Sequence, residues 1–235
     1  MEGKMVLNKK TTQDWPLEQK EAESRKIIRE AIKKYGKDRI ATAWSGGKDS
    51  TTVLNLIKQE FGKVITPVVF IDTSVKFPEI YAFRDKLTKE WNLNLIIIKN
   101  EEALKTIKIA ENKQECCYLL KTIPLRQAIE LNGWKALITA VRWDEQEARK
   151  DEVYISPREN PPHVRIHPIL HFREIDIWSY IKKYDVPYCE LYHKGYRSLG
   201  CMPCTQLGSA EGPERSGRDQ SKEEIMQQLR DLGYF

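Results

Sequence analysis

Short apolar runs alternate with amphipathic patterns through the first two thirds of the chain. Strands are predicted at four apolar runs, Arg39–Trp44, Thr66–Ile71, Leu93–Lys99 and Ala136–Val141. Helices are predicted between them, at Thr51–Phe61, Pro78–Trp91 and Ile123–Leu131. Strands that alternate with helices indicate βαβ units, so the pattern predicts an α/β fold whose mainly parallel, doubly wound sheet is covered on both faces.

Further helical patterns flank this region. Leu17–Tyr35 consists of helix formers and is followed by Gly36, which suits a helix end. After Lys150 the chain has a proline-rich stretch, SPRENPPH, predicted as a loop. An apolar segment and two helices are predicted after it, at Val164–Leu170, Arg173–Tyr184 and Ser221–Leu232. We therefore predict three parts: an N-terminal helical segment (1–37), an α/β core (38–150) and a smaller C-terminal subdomain (151–235).

Composition adds limits on class and location. The 235 residues are 40% hydrophobic and 31% charged, within the globular range. No apolar run approaches the roughly 18 residues of a membrane span, and the N-terminus lacks the apolar core of a signal peptide. We expect a cytoplasmic protein. The formal net charge of +5 suits an anionic nucleotide as well as a nucleic acid, and it favours neither.

Three polar loops follow predicted strands, where ligands of parallel sheets bind. Ser45–Ser50 follows the first strand, Asp72–Pro78 follows the second, and Arg142–Arg149 follows the Ala136–Val141 strand. Because the carboxyl ends of parallel strands meet at one edge of the sheet, we expect these loops to surround one ligand.

The sequence SGGKDS at Ser45–Ser50 lies between a predicted strand and a predicted helix. Backbone N–H groups and a helix N-terminus there favour an anion. Gly46 and Gly47 permit close backbone approach, Lys48 supplies a cation, and the serine hydroxyls supply hydrogen bonds. We expect this loop to be exposed and to bind phosphate. The alternative, a Gly-Gly turn that only caps a helix, does not explain the whole hexapeptide.

The hexapeptide is not a Walker A loop, because Asp49 follows the lysine where Ser or Thr is required. It fits the SGGxDS signature of PP-loop ATP pyrophosphatases. Beyond it, the chain resembles the phosphoadenosine-phosphosulfate (PAPS) reductase family over nearly its whole length. Matching segments follow in order at Phe70–Glu79 ("DTGxFPE"), Leu137–Arg149 (the arginine loop), His167–Trp178 and Tyr196–Cys201.

This resemblance implies a fold of the adenine nucleotide alpha-hydrolase type. It implies that Asp72 lies near the nucleotide, and that Arg142 and Arg149 face its phosphate or sulfate end, where their donors match tetrahedral oxyanions. We expect ATP, PAPS or adenylyl sulfate (APS) as the nucleotide, with Mg²⁺ as a possible companion, and Lys48, Asp49 and the two arginines as catalytic residues. His167 and His171 do not form a metal-binding pattern and are predicted to pack in the interior.

Four of the five cysteines form two tight pairs, Cys116-Cys117 and Cys201-x-x-Cys204, separated by 83 residues. In a reducing compartment such pairs favour a metal site. Structural zinc usually takes C-x₂₋₄-C pairs, whereas adjacent cysteines splay and fit better the corners of an iron–sulfur cube. Zinc and buried core thiols remain the alternatives. The same arrangement is typical of the [4Fe–4S] adenylyl-sulfate reductases, and this resemblance implies that all four cysteines bind a [4Fe–4S] cluster.

Two residues near these pairs have open interpretations. Lys121, four residues beyond Cys117, is either a cation beside the cluster and the substrate or an ordinary helix lysine. Cys189 lies outside the quartet and is interpreted as a spare buried thiol.

The chain departs from each branch of the family that it resembles. The sulfonucleotide reductases carry their nucleophile in an ECGLH-like tail, and no cysteine follows Cys204 here. Glu214–Arg218 (ERSGR) and Gly233–Phe235 (GYF) resemble the small subunit of sulfate adenylyltransferase, which does not normally carry the four-cysteine pattern. A third branch, which includes proteins of DNA phosphorothioate modification, combines a similar loop with a cluster.

These features favour an ATP-dependent enzyme of sulfur metabolism that couples adenylation to sulfur transfer. A PAPS or APS reductase that makes sulfite is the first alternative. Further alternatives are a sulfate adenylyltransferase-like protein and a non-catalytic nucleotide- and cluster-binding subunit of a modification complex. A nucleic-acid acceptor, a partner subunit, a sulfur-donor protein and a homo-oligomer are the partners considered. Because no free nucleophile is evident, we expect no reduction of PAPS or APS with thioredoxin.

Overall fold

A computed structural model describes residues 9–234 and contains one six-stranded sheet. Its strands are β1 Ile40–Ala43, β2 Val68–Ile71, β3 Leu95–Ile98, β4 Ala136–Ile138, β5 Ile155–Glu159 and β6 Pro162–Ile166. The spatial order is β3-β2-β1-β4-β6-β5, and every pair is parallel except β5 with β6. The predicted α/β class with a mainly parallel sheet is confirmed, and the four predicted strands are all present.

Ten α-helices are found within residues 9–234. They are α1 Lys9–Gln13, α2 Leu17–Tyr35, α3 Lys48–Phe61, α4 Pro78–Glu90, α5 Glu101–Thr106, α6 Lys113–Cys117, α7 Ile123–Asn132, α8 Glu174–Tyr184, α9 Gln220–Glu224 and α10 Met226–Asp231. A single π-helical turn, Tyr118–Thr122, joins α6 to α7. The predicted helix at the C-terminus is interrupted at Ile225, and α3 begins inside the SGGKDS sequence.

The proline-rich stretch predicted as a loop is part of a hairpin. β5 pairs antiparallel with β6, and β6 pairs parallel with β4. Prolines suggested a loop because they cannot donate to a strand ladder, but Pro157 lies on β5 at the edge of the sheet and Pro162 is the first residue of β6, and a missing N–H is tolerated at both places. The central sheet therefore continues past residue 150, where the sequence suggested a change of domain.

Side chains alternate between two apolar layers along the buried strands. Ile40 and Val68 contribute to the larger layer, while Ala41 and Val69 contribute to the smaller one. The larger layer includes residues of α2, α3, α4 and α8, and the smaller layer includes residues of α7. Strands that are buried on both faces carry continuous apolar runs, which explains why their positions were readable from the sequence.

Among residues 9–234, no helix combines the length and the apolar composition that crossing a membrane requires.

Candidate active site

The Ser45–Ser50 loop joins β1 to α3 at the carboxyl edge of the sheet. Gly46 has a φ of 82°, and a Cβ atom there would lie 2.8 Å from Cγ2 of Ile80 on α4. A side chain at position 46 would therefore strain the backbone and clash with α4. The sequence predicted that Gly46 lets an anion approach the backbone closely. The structure shows that packing against α4 also requires a glycine at this position.

The hydroxyl groups of the loop bond to the loop itself. Ser50 Oγ and Thr51 Oγ1 both donate to the Gly47 carbonyl at 3.0 Å. The Ser45 N–H donates to Ser50 Oγ at 3.2 Å, and the Gly47 N–H donates to Ser45 Oγ at 3.3 Å. These bonds fix the shape of the turn. The predicted contacts of Ser45, Gly46, Gly47 and Ser50 with phosphate stay predictions.

Lys48 and Asp49 belong to a buried charge network, although the sequence predicted an exposed loop. Their side chains are 1% and 17% exposed. Lys48 Nζ pairs with Glu214 and lies 3.1 Å from Asp49 Oδ2. Arg142 contacts Asp49 and Asp144 at 2.5 Å each, and it also pairs with Glu214. Because removing one partner of a buried pair costs about 3–5 kcal/mol, replacing Lys48 would reduce stability as well as function.

Arg142 does not line the cleft described below, although the resemblance implied that it faces the phosphate or sulfate end of the nucleotide. Its side chain has no exposed surface, because buried carboxylates draw its guanidinium inward and bond to its donors. Arg149 does line the cleft described below, and it pairs there with Glu145. Asp72 accepts a 2.7 Å hydrogen bond from the Tyr81 hydroxyl. The catalytic assignments of Lys48, Asp49 and both arginines stay predictions.

An open cleft lies at the carboxyl ends of β1, β2 and β4 and encloses about 1180 Å³ including its mouth. Its walls combine the Ser45–Ser50 loop with residues 198–200 and the C-terminal segment. No cysteine lines it within the described part of the chain. Its cationic lining residues are Lys48, Lys76, Lys121, Arg149, Arg215 and Arg218.

These cations differ in their partners. Arg215 is paired with Glu145 at 2.9 Å and with Glu223 at 2.7 Å. In contrast, Lys76, Lys121 and Arg218 form no ion pair with a carboxylate of residues 9–234; they contact the Phe70 ring, Tyr234 and Thr205 respectively. We call these three residues the cationic end of the cleft. A buried excess of positive charge favours an anionic ligand at this end.

Protonation equilibria reflect the same positive charge. Burial lowers the pKa of Lys76 to about 8. The Tyr234 hydroxyl accepts hydrogen bonds from Lys121 at 3.0 Å and from Lys222 at 3.2 Å. Burial by itself would raise the pKa of Tyr234, but these two ammonium groups lower it to about 8. The potential at the cationic end therefore stabilises negative charge.

Arg218 lies directly against the backbone of Gly200. A Cβ atom at position 200 would lie 2.1 Å from Arg218 Nη1. We expect Gly200→Ala to displace the guanidinium and to weaken binding of AMP at least tenfold, about 1.4 kcal/mol, as measured by titration calorimetry.

The matched control is Gly212→Ala, since the nearest atom to a Cβ there is Ser209 Cβ at 3.1 Å, a much milder contact in the same segment. Equal affinities in the Gly200→Ala and Gly212→Ala proteins would show that Arg218 does not bind the ligand.

The four paired cysteines lie together, as their spacing predicted. Cys116, Cys117, Cys201 and Cys204 are free thiols that line one small cavity, which they share with Lys121. Burial opposes ionisation of Cys201, but Lys121 and Lys76 lower its pKa to about 6. Cys189 is fully buried elsewhere. Lys121 lines both this cavity and the cleft, so the thiol cavity adjoins the cationic end.

The cavity can be tested against the two kinds of metal centre. Within residues 9–234, no three His, Cys, Asp or Glu side chains converge closely enough to hold a metal ion. A zinc ion needs four donors at about 2.3 Å from one point, whereas a cube presents its iron atoms at separate corners. Thiols that line one cavity without converging on a single point fit the separate corners of a cube better than the single centre of a zinc ion. Lys76, Lys121 and the buried Lys222 provide charge that complements an anionic cluster.

Sequence reasoning missed several residues of this site. Glu214, Arg215 and Arg218 were noticed only as part of the ERSGR tail, and Tyr234 only as part of GYF. Lys76 carried no signal beyond its place in a loop after a strand. His167 and His171 are buried and hydrogen-bonded, to Thr139 and Tyr154 among others, as expected of packed rings.

Comparisons with known proteins identify relatives. Residues 39–207 match the family described as Phosphoadenosine phosphosulfate reductase domain. The chain is 30% identical over 213 residues to adenosine 5'-phosphosulfate reductase of Oceanobacillus iheyensis, with 87% of each chain covered. It is 33% identical over 201 residues to the enzyme of the same name from Geobacillus sp. (strain WCH70), with 82% of this chain and 83% of the relative covered.

Solved structures share the fold. The structure of phosphoadenylyl-sulfate reductase from Candida auris, a phosphate complex, matches with a TM-score of 0.67 and 21% identity, over 80% of this chain and 94% of that one. The FMN adenylyltransferase of Candida glabrata matches with a TM-score of 0.66 and 18% identity, over 95% and 88%. At these identities the likeness concerns the fold alone.

Proposed function

Because the chain belongs to the phosphoadenosine phosphosulfate reductase domain family, we propose that it is a sulfonucleotide reductase that converts adenosine 5'-phosphosulfate to AMP and sulfite. Relatives that carry the name of that enzyme, at 30–33% identity, favour this alternative over the ATP-dependent adenylation first inferred from the sequence. The observation that carries the proposal is the cationic end of the cleft, which forms no ion pair with described carboxylates and adjoins the thiol cavity.

The charge distribution supports one orientation of the substrate. The sulfate group of adenylyl sulfate binds Lys76, Lys121 and Arg218, because these cations form no ion pair with a carboxylate of residues 9–234. The adenosine end extends toward the loop and the apolar wall residues Val69 and Val141. Arg149 and Arg215 already have acidic partners, so they contribute less to anion affinity.

The reaction that fits this site is thiol attack on sulfur. A thiolate attacks the sulfate sulfur, an S–S bond forms, and the bond from sulfur to the phosphate oxygen breaks with its electron pair leaving on AMP. A second thiol then attacks the sulfur of the first thiol, forms a disulfide and releases sulfite. The sulfate sulfur gains two electrons and the two thiols lose two. Lys121 and Arg218 stabilise the charge on the sulfonate and on the departing phosphate.

The thiols are proposed to come from a separate dithiol co-substrate. Among residues 9–234, Cys189 is fully buried and the other four cysteines line the adjoining cavity, so the cleft itself contains no thiol. A dithiol supplies both electrons of the reduction. This proposal replaces the expectation that PAPS or APS would not be reduced with thioredoxin.

We further propose that Cys116, Cys117, Cys201 and Cys204 hold a [4Fe–4S] cluster. The cavity between them and the surrounding lysines support it. Such a cluster supplies negative charge beside the sulfate site and fixes α6 relative to residues 201–204. In this chain, Lys121 lies between the two sites and orients the sulfate.

ATP-dependent adenylation is the second candidate, favoured by the complete SGGKDS loop and by the lack of a thiol in the cleft among the described residues. Sulfur transfer to a nucleic acid or another acceptor, a sulfur-donor protein and a partner subunit belong to this candidate. Mg²⁺ would be needed here to accompany the triphosphate.

One experiment separates the candidates. Anaerobically purified protein is incubated with adenosine 5'-phosphosulfate and dithiothreitol, and AMP and sulfite are quantified together. A parallel incubation with ATP and sulfate is assayed for pyrophosphate. The reductase predicts equal amounts of AMP and sulfite over many turnovers and no sulfate-dependent pyrophosphate. Pyrophosphate without sulfite would refute it and favour adenylation.

A further inference from the structure

In the Ser45–Ser50 loop, the side-chain N–H donors of Lys48 are already bonded to acceptors of the protein itself. An ammonium group has three N–H donors. Lys48 Nζ donates to Asp49 Oδ2 at 3.1 Å, to the Arg197 carbonyl at 3.2 Å and to Glu214 Oε1. Its backbone N–H donates to the Tyr192 hydroxyl at 2.8 Å. Lys48 therefore has no donor left for a phosphate oxygen in this arrangement.

Glu214 takes the place that an anion would be expected to fill. It is 8% exposed and bridges the two cations nearest the loop, Lys48 and Arg142. Two further carboxylates, Asp49 and Asp144, contact the same cations, so the network holds two positive and three negative groups. Burial and the nearby Asp49 raise the pKa of Glu214, which supports the view that negative charge is already in excess here.

The two ends of the cleft therefore have opposite character. The loop end is neutralised by the chain's own carboxylates, and the cationic end at Lys76, Lys121 and Arg218 is not. A nucleoside triphosphate needs cations along its β- and γ-phosphates, while an adenylyl sulfate carries one short phosphate–sulfate anion. The short anion needs only one cationic end.

We infer that Glu214 is a specificity-determining residue whose carboxylate occupies the Lys48–Arg142 cation pair, so that the cleft binds AMP-type and adenylyl-sulfate nucleotides and gains no affinity from the β- and γ-phosphates of a nucleoside triphosphate. The inference rests on the proposed function for the identity of the accepted substrate. In this chain the SGGKDS loop holds the C-terminal segment in place through Glu214, and Arg215 and Arg218 reach the cleft as a result.

The test compares AMP with ATP by titration calorimetry on the anaerobically purified protein. For the wild type we expect the two dissociation constants to agree within about threefold, because the β- and γ-phosphates meet no free cation. Glu214→Gln keeps the size and an oxygen acceptor but removes the charge. We expect it to bind ATP at least tenfold more tightly relative to AMP.

Two controls make the result specific. Glu190→Gln removes the same charge from an exposed pair with Lys194 and should leave the ratio unchanged. The double variant Lys48→Met/Glu214→Gln should lose the increase in ATP affinity relative to AMP, because the Lys48 ammonium that Glu214→Gln frees is then absent. Thermal unfolding of each variant is measured in parallel. If the Glu214→Gln protein does not fold, the ratio of the wild-type dissociation constants for AMP and ATP tests the inference alone.

Two outcomes overturn the inference. One is a wild type that binds ATP tenfold or more tightly than AMP. The other is a folded Glu214→Gln protein with normal AMP affinity and an unchanged ratio. Sulfite formation is measured separately, so a protein that makes sulfite but prefers ATP refutes the inference alone. A protein that binds ATP no more tightly than AMP but makes no sulfite refutes the proposed function alone.

Discussion

Replacing Cys116, Cys117, Cys201 or Cys204 with serine is expected to reduce the iron content of anaerobically purified protein from about four atoms per chain to below one, and to remove its brown colour. Each thiol lines the same cavity, and Cys117, Cys201 and Cys204 are buried in its wall. Loss of one ligand leaves an iron atom without its thiolate in a closed space. Iron analysis and visible absorbance are the measurements.

The matched control is Cys189→Ser. Cys189 is also a buried free thiol, but it packs in the larger apolar layer, away from the cavity. The Cys189→Ser protein should therefore contain as much iron as the wild type. Purified protein with stoichiometric zinc and no visible absorbance would instead mean that the four thiols hold a different metal centre.

Lys121→Met is expected to lower kcat/KM for adenosine 5'-phosphosulfate at least 100-fold, which corresponds to about 2.7 kcal/mol of transition-state stabilisation. Methionine keeps an unbranched side chain that is one atom shorter, and it removes the charge. Lys121 lines both the cleft and the thiol cavity, and among residues 9–234 its ammonium contacts the Tyr234 hydroxyl and no carboxylate. The charge that forms on the sulfonate and on AMP would lose its nearest cation.

Lys105→Met is the control for charge alone, because Lys105 is exposed and its one ion pair among residues 9–234 is with Glu102 on α5. Iron content must be measured in both variants, so that a lost cluster is not mistaken for a lost contact. A Lys121→Met protein with normal iron and near-normal kcat/KM would remove Lys121 from the sulfate site.

Most of the fold could be predicted from the local pattern of apolar and polar residues. The strands at Ile40–Ala43 and Val68–Ile71 are short, apolar and buried on both faces, and such runs can be recognised from sequence alone. The hairpin at Ile155–Ile166 was missed because position in the sheet, and not local preference, makes its prolines acceptable: Pro157 lies on the edge strand and Pro162 begins β6. Position in the sheet is a property of the assembled sheet.

The candidate site also has features that the sequence predicted and features that it did not. Cys116-Cys117 and Cys201-x-x-Cys204 could be recognised from the sequence, because two tight thiol pairs in one chain favour a shared metal site over unrelated core thiols. The burial of Lys48 could not be recognised, since its three acceptors come from Asp49, Arg197 and Glu214, two of them far away in sequence. The sequence predicted an exposed Ser45–Ser50 loop because it does not show that Glu214, far away in the chain, pairs with Lys48. Charge pairing across the chain is a tertiary property, and one sequence does not reveal it.

The Lys48–Glu214 pair also has a consequence for how the protein is made. The two residues are 166 positions apart, and closing so long a loop has an entropic cost that only later contacts offset. During synthesis the strands around β1 can associate while Lys48 and Arg142 still lack the Glu214 carboxylate. We therefore expect the charge-paired site to be among the last parts of the protein to form, after the sheet.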